Sequence, residues 1–133
     1  MRPTRIRDII MKKILFIILL SLFSVSTFAQ VYKYKTTETD IERNNAIVSA
    51  KKVTSYFTVD FNNKKIAYEG LNSKGEKITA TYPMKRYYRD GVSIIFTVGE
   101  KGVKEIWISD YSAGVDFYDR NTRIACYNVQ RIK

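Results

Sequence analysis

The 133-residue chain contains no histidine. That absence removes every Ser-His-Asp or Cys-His nucleophile, because those mechanisms need an imidazole to carry the proton, and it removes His-containing zinc sites with them. A single cysteine, Cys126, rules out an internal disulfide and a paired Cys-x-x-Cys motif. Gly-rich phosphate loops are missing too. Only two prolines occur, Pro3 and Pro83. The longest apolar run, residues 14–25, is diluted by Ser21 and Ser24 and falls well short of the roughly 20 residues that cross a bilayer.

What that run does fit is a secretory leader. Met11, Lys12 and Lys13 give a positive start, residues 14–25 an apolar centre, and Thr27 and Ala29 the short side chains that precede a signal-peptidase cut, so Gln30 becomes the mature N-terminus. With no cysteine beside the cut, a lipid anchor is not expected. Residues 1–10 add nothing to this signal, and Met11 reads as the true start of translation. The expected division is therefore a signal peptide at 1–29 and one domain at 30–133, exported to the periplasm or beyond the cell, with no transmembrane segment in its mature form.

The leader holds five of the 23 Lys and Arg residues and one of the 13 acids, which leaves 18 bases against 12 acids and a formal charge of +6. An excess of this size suits an acidic partner, and it equally serves to keep a small protein apart from its copies.

All ten tyrosines lie after the leader, with four phenylalanines and Trp107. Such residues favour pleated, half-buried surfaces, and the period of two is explicit. Val53, Phe57, Val59 and Phe61 share one face, with Thr54, Tyr56, Thr58 and Asp60 on the other. The alternation recurs in Ile66 and Tyr68; in Ile78, Ala80 and Tyr82; in Val92, Ile94, Phe96 and Val98; in Ile106 and Ile108; and in Val115 and Phe117. Turn signals separate these runs at 62–63, 70–75, 89–91, 99–102, 110–114 and 119–121. The pattern predicts an all-β, antiparallel meander of seven or eight short strands, closing into a small barrel or remaining a curled sheet. Its many large inward residues predict a filled interior. Residues 40–50, with Asp40 as a cap, read as a loop holding one helical turn.

The leader ending in Ala29-Gln30, the strand-turn-strand Phe-Thr-Val-Asp-Phe-Asn-Asn-Lys-Lys-Ile at 57–66, and the closing Tyr127-Asn128-Val129 resemble a group of small exported lipocalin-like β-meander proteins of Bacteroidetes. The resemblance implies a β-meander of about a hundred residues but brings no activity with it. The Gly-x-Trp that lipocalins carry near the first strand is absent here, since Trp107 comes late.

The densest chemistry lies in Tyr82-Pro-Met-Lys-Arg-Tyr-Tyr-Arg-Asp-Gly91. Lys85, Arg86, Tyr87, Tyr88 and Arg89 combine charges that neutralise anions with rings that stack on flat surfaces. Export turns that combination away from nucleic acid and toward an anionic glycan, an envelope surface or an envelope protein. Tyr87 and Tyr88 must point to opposite faces of a strand, so one is expected in the core and the other outside. Asp116, Asp119 and Asn121 group oxygen ligands of the kind calcium takes, but without EF-hand spacing, and the same residues build turns through their own backbone. No metal or cofactor is expected, and catalysis by paired carboxylates is disfavoured because the acids sit at turns. The reading is a non-enzymatic exported binding domain; an inhibitor or accessory subunit, or a small-molecule carrier, are the alternatives.

The protein recovered from the cell that makes it is expected to begin at Gln30. Intact-mass measurement checks this, and finding residues 11–29 retained in most molecules would replace export with membrane anchoring.

Overall fold

Alternating sequence becomes strand wherever the pattern is continuous. The computed structural model describes residues 31–132; the leader, its Ala29–Gln30 cut and the Met11 start lie outside the described residues. Twelve strands follow one another: β1 (Val31–Thr36), β2 (Glu38–Arg43), β3 (Ala46–Lys51), β4 (Ser55–Asp60), β5 (Lys65–Leu71), β6 (Lys77–Pro83), β7 (Arg86–Asp90), β8 (Ser93–Glu100), β9 (Val103–Ile108), β10 (Ser112–Phe117), β11 (Thr122–Tyr127) and β12 (Gln130–Ile132). A 3-10 turn at Asp119–Asn121 joins β10 to β11. Among the described residues no helix is long and apolar enough to cross a membrane.

The strands form two antiparallel sheets, one ordered β12-β1-β4-β5-β6 and the other β3-β2-β11-β10-β9-β8-β7. The all-β antiparallel expectation holds, but its count is corrected: twelve strands replace seven or eight, and in place of one small barrel or curled sheet they form two sheets. The reason is that residues 31–43, 46–60, 77–90 and 122–132 each leave one sheet and continue in the other. Hydrophobic alternation does not register such a bend.

The joints are visible in the hydrogen bonds. β1 pairs with β12 up to Lys35↔Gln130, and β2 takes up with β11 at Glu38↔Tyr127, so the register runs on residue for residue through the bend. There Thr37 N–H donates to the Tyr127 carbonyl at 3.1 Å, Asn128 Nδ2 donates to Thr37 Oγ1 at 3.1 Å, and Asn128 takes a φ of 63°. At the end of β6, Met84 N–H donates to Lys64 O at 2.9 Å and Lys85 N–H to Thr97 O at 3.0 Å. Consecutive amides thus bond to β5's side and to β8, and stitch the sheets together.

Residues 40–50 are not a helical turn. They belong to the β2–β3 hairpin, whose two-residue turn is Asn44-Asn45 at φ 52° and 68°. Both central residues of such a turn need positive φ, which asparagine tolerates.

The core lies where the inner faces of both sheets contribute to one cluster. In the larger sheet Phe96, Ile106, Val115, Ile124 and Ile41 stand opposite one another in a row across five strands, all buried. Each such side chain contributes about 1.5–3 kcal/mol relative to exposure. The smaller sheet supplies Phe57, Val59, Ile66, Tyr68 and Tyr82. The Tyr68 hydroxyl donates to Leu71 O at 2.6 Å, and burial drives its phenol far above the ordinary range. Cys126 is fully buried in β11, with Thr39 Oγ1 3.8 Å from its sulfur; burial raises the thiol pKa, which leaves it neutral and inaccessible to a partner's cysteine in the folded protein.

On the outer face Trp107 lies directly across from Gly114. A Cβ at Gly114 would collide with the indole and with the Ile124 carbonyl oxygen, so only glycine lets the ring lie flat on the sheet. The Arg123 guanidinium lies over that ring at 4.8 Å while its Nε meets Asp116 Oδ1 at 2.8 Å. Gly114→Ala is expected to cost about 3 kcal/mol through overpacking against backbone that cannot retreat. Urea denaturation measures it, and a loss under about 0.5 kcal/mol, the scale of a neutral surface change, would mean the ring moves aside freely.

Candidate ligand-binding cleft

Edge position decides the fate of residues 85–89. β7 is the last strand of the seven-stranded sheet, and Lys85, Arg86, Tyr87, Tyr88 and Arg89 are all exposed. The pairings Tyr87↔Phe96 and Tyr88↔Ile95 put the two tyrosines on opposite faces, as strand geometry requires. Neither is in the core, however: Tyr87 is 56% exposed and Tyr88 43%. The expectation that one would be buried is corrected because a terminal strand has a neighbour on one side only. The five residues also divide. Arg86 and Tyr88 face outward, where the Tyr88 hydroxyl is 3.5 Å from Glu105 Oε2, while Tyr87 and Arg89 face the interior side.

That interior side is not filled throughout. A cavity of about 480 Å³ opens between the sheets beside β7. From the smaller sheet and the turn after β4 come Tyr32, Tyr34, Val59 and Phe61; from the larger sheet and its β7–β8 turn come Ile94, Phe96, Ile108 and Val92. Arg89, Arg131, Ser109 and Asp110 supply the polar part of the lining. The filled interior expected from residue size is therefore found in the core but not at this end.

Aromatic rings organise the floor. Phe61 lies 5.9 Å from Tyr32, 5.2 Å from Tyr87 and 6.1 Å from Phe96, and Tyr87 is 5.9 Å from Phe96. These are edge-to-face and tilted contacts, the arrangements that ring quadrupoles favour. Arg131 is held with its guanidinium 4.5 Å over the Tyr32 ring. Burial raises the pKa of Tyr34, opposed by Arg131 and reinforced by Tyr32 and Asp110, so its phenol is a neutral donor. The β9–β10 turn that presents Asp110 is stiffened by Ser109, whose Oγ accepts from Tyr111 N–H at 3.1 Å and Ser112 N–H at 3.0 Å. Among the described residues neither Arg89 nor Arg131 is ion-paired; the pairs are Arg120 with Asp119 and Arg123 with Asp116.

Asp116, Asp119 and Asn121 are each occupied elsewhere. Asp116 holds Arg123, Asp119 accepts from Ser73 Oγ at 3.3 Å, and Asn121 takes a φ of 52° in the 3-10 turn and receives the Asn44 N–H on its carbonyl. Among the described residues no three His, Cys, Asp or Glu side chains gather at metal-binding distance.

Tyr32, Tyr34 and Arg131 escaped the sequence reading. Tyr32 and Arg131 are almost a hundred residues apart and meet only because β1 pairs with β12. The available signal was the alternation of aromatic and basic residues at 32–35, which resembles the pattern at 85–89 but is weaker. No protein-family model matches this chain, and no curated protein matches it either.

Tyr87→Ala is expected to lower stability by about 1 kcal/mol, the value of a partly exposed ring contact, whereas Phe96→Ala should cost about 3–5 kcal/mol as a buried deletion. Urea denaturation of both variants checks the contrast, and equal losses would place Tyr87 in the core after all.

Proposed function

We propose that this protein is an exported, non-enzymatic binding protein that holds a small ligand in the cleft beside β7. The observation that carries the reading is the cavity itself. Its volume falls within the roughly 300–1,000 Å³ of small-molecule sites, and its mix of apolar walls with a few converging polar groups is the composition such sites share. Catalysis has little support, since among the described residues the lining holds one carboxylate, Asp110, and paired-acid chemistry needs two. The leader supports a periplasmic or extracellular place of action. Among the alternatives first weighed, a carrier is favoured over a purely surface-acting domain because a solid interior is what the latter would have required.

A second reading keeps one specific observation. Arg86 and Tyr88 are exposed on the outer face of an edge strand, with Lys85 exposed just before it, and they suit contact with an anionic glycan, an envelope surface or an envelope protein, including action as an inhibitor or accessory subunit.

The neutral fluorophore N-phenyl-1-naphthylamine separates the two. The cleft reading expects saturable binding of about one equivalent, weakened at least tenfold by Ile94→Trp, whose indole would occupy the space, in protein whose circular dichroism is unaltered. Affinity indifferent to that substitution would shift the weight to the surface strip. There, replacing Lys85 and Arg86 together by serine should reduce capture on an anionic polysaccharide, most strongly at low salt.

A further inference from the structure

The charge on the cleft's wall goes further than its size, and what it implies rests on the cleft being the binding site. Among the described residues the lining carries two arginines, Arg89 and Arg131, and one carboxylate, Asp110. They come from different sheets: Arg89 from β7 and Arg131 from β12, each the terminal strand of its own sheet. We infer that the cleft selects an amphipathic organic monoanion whose charged end bridges Arg89 and Arg131 and whose apolar body lies against Phe61 and Phe96.

Each part of this follows from the chemistry present. A guanidinium offers a planar fork of N–H donors that matches a carboxylate, sulfonate or phosphate edge, which a lysine ammonium does not. Arg131 is already oriented, because its guanidinium rests on the Tyr32 ring at 4.5 Å. A cationic ligand would find Asp110 alone and face two guanidiniums. A neutral ligand would draw no charge-assisted hydrogen bond from either arginine, both of which are exposed and stay hydrated without it. One negative charge balances the excess of two cations over one anion. Tyr34 adds a phenolic donor beside Arg131. Because the anion would touch the terminal strands of both sheets at once, its binding would also tie their edges together.

A matched pair of fluorophores tests the inference on the purified protein: 8-anilinonaphthalene-1-sulfonate carries one sulfonate, and N-phenyl-1-naphthylamine is the same ring system without it. The sulfonate is expected to bind at least about tenfold more tightly, the worth of a charge-assisted hydrogen bond, and Arg89→Gln or Arg131→Gln should bring the ratio of the two affinities toward one. Added salt should lower the sulfonate's affinity and not the amine's. Bound sulfonate should slow amide exchange in β7 and β12, and Arg131→Gln should abolish that protection. Dodecanoate and dodecyl phosphate should displace the probe well below the concentration at which dodecanol does, the more effective of the two naming the head group. Equal affinities for the two fluorophores, a ratio indifferent to both substitutions, or dodecanol as good a competitor as the acids would overturn the anion assignment while leaving the cleft standing. Failure of both fluorophores to respond to Ile94→Trp would remove the cleft itself, and the inference with it.

Discussion

The structure depends on one ribbon of backbone hydrogen bonds, in which the chain from β1 into β2 pairs with the chain from β11 into β12 across a bend. Backbone amides and carbonyls must be satisfied once they leave water, and this ribbon satisfies them in both sheets without a break in register. It is the longest-range pairing in the fold, joining residues nearly a hundred apart. Thr37 and Asn128 are its hinge: the positive φ of Asn128 turns the strand, and its side-chain amide bonds to Thr37 to hold the turn. Without this joint, residues 130–132 would have no place in the smaller sheet, where β1 is their one neighbour.

The space between the two sheets is filled unevenly. Beside the bend, Thr36, Thr39 and Cys126 are all buried. Further in, the row from Phe96 to Ile41 and the facing Phe57, Val59, Ile66 and Tyr68 fill the interval. At the end marked by β7 and the β9–β10 turn, the row runs out. Tyr87 is the last residue of the Phe96 row, and with no strand beyond it the ring sits at the rim instead of under cover. The cleft is thus a consequence of sheet edges: packing stops where the strands stop, and the aromatic rings left there face a half-filled space.

This placement changes what the basic-aromatic segment can do. Read as sequence, residues 85–89 form one strip. In the fold they are two, because the alternation of a strand sends Arg86 and Tyr88 to the outer face and Tyr87 and Arg89 to the cleft. Arg89 then acts with Arg131, a residue the segment gives no hint of. The outer face has its own order, in which Gly114, Trp107 and Arg123 stack in layers and Asp116 fixes the guanidinium. That stack covers the glycine and keeps a central stretch of the sheet from water, a structural task that accounts for the single tryptophan without invoking a ligand.

Local chemistry was legible without coordinates. Period-two alternation marked β4, β5, β8 and the β9–β10 core positions, and the Asn, Gly and Asp clusters marked the turns. These are properties of neighbours in the chain, fixed by side-chain direction and by which residues tolerate positive φ. Where local chemistry was ambiguous the reading failed: Asp40 and its acidic neighbours fit the start of a helix as well as a strand, and only pairing with β11 on one side and the Asn44-Asn45 turn on the other decides for the hairpin. The four stretches that pass from one sheet to the other carry no local mark of the crossing, because the in-out pattern says nothing about which sheet a strand joins. The cleft was beyond reach for the same reason. Its wall joins Tyr32 to Arg131 and Arg89 to Asp110, and such meetings are set by long-range register and by where each sheet ends, which the chain decides only when it is folded.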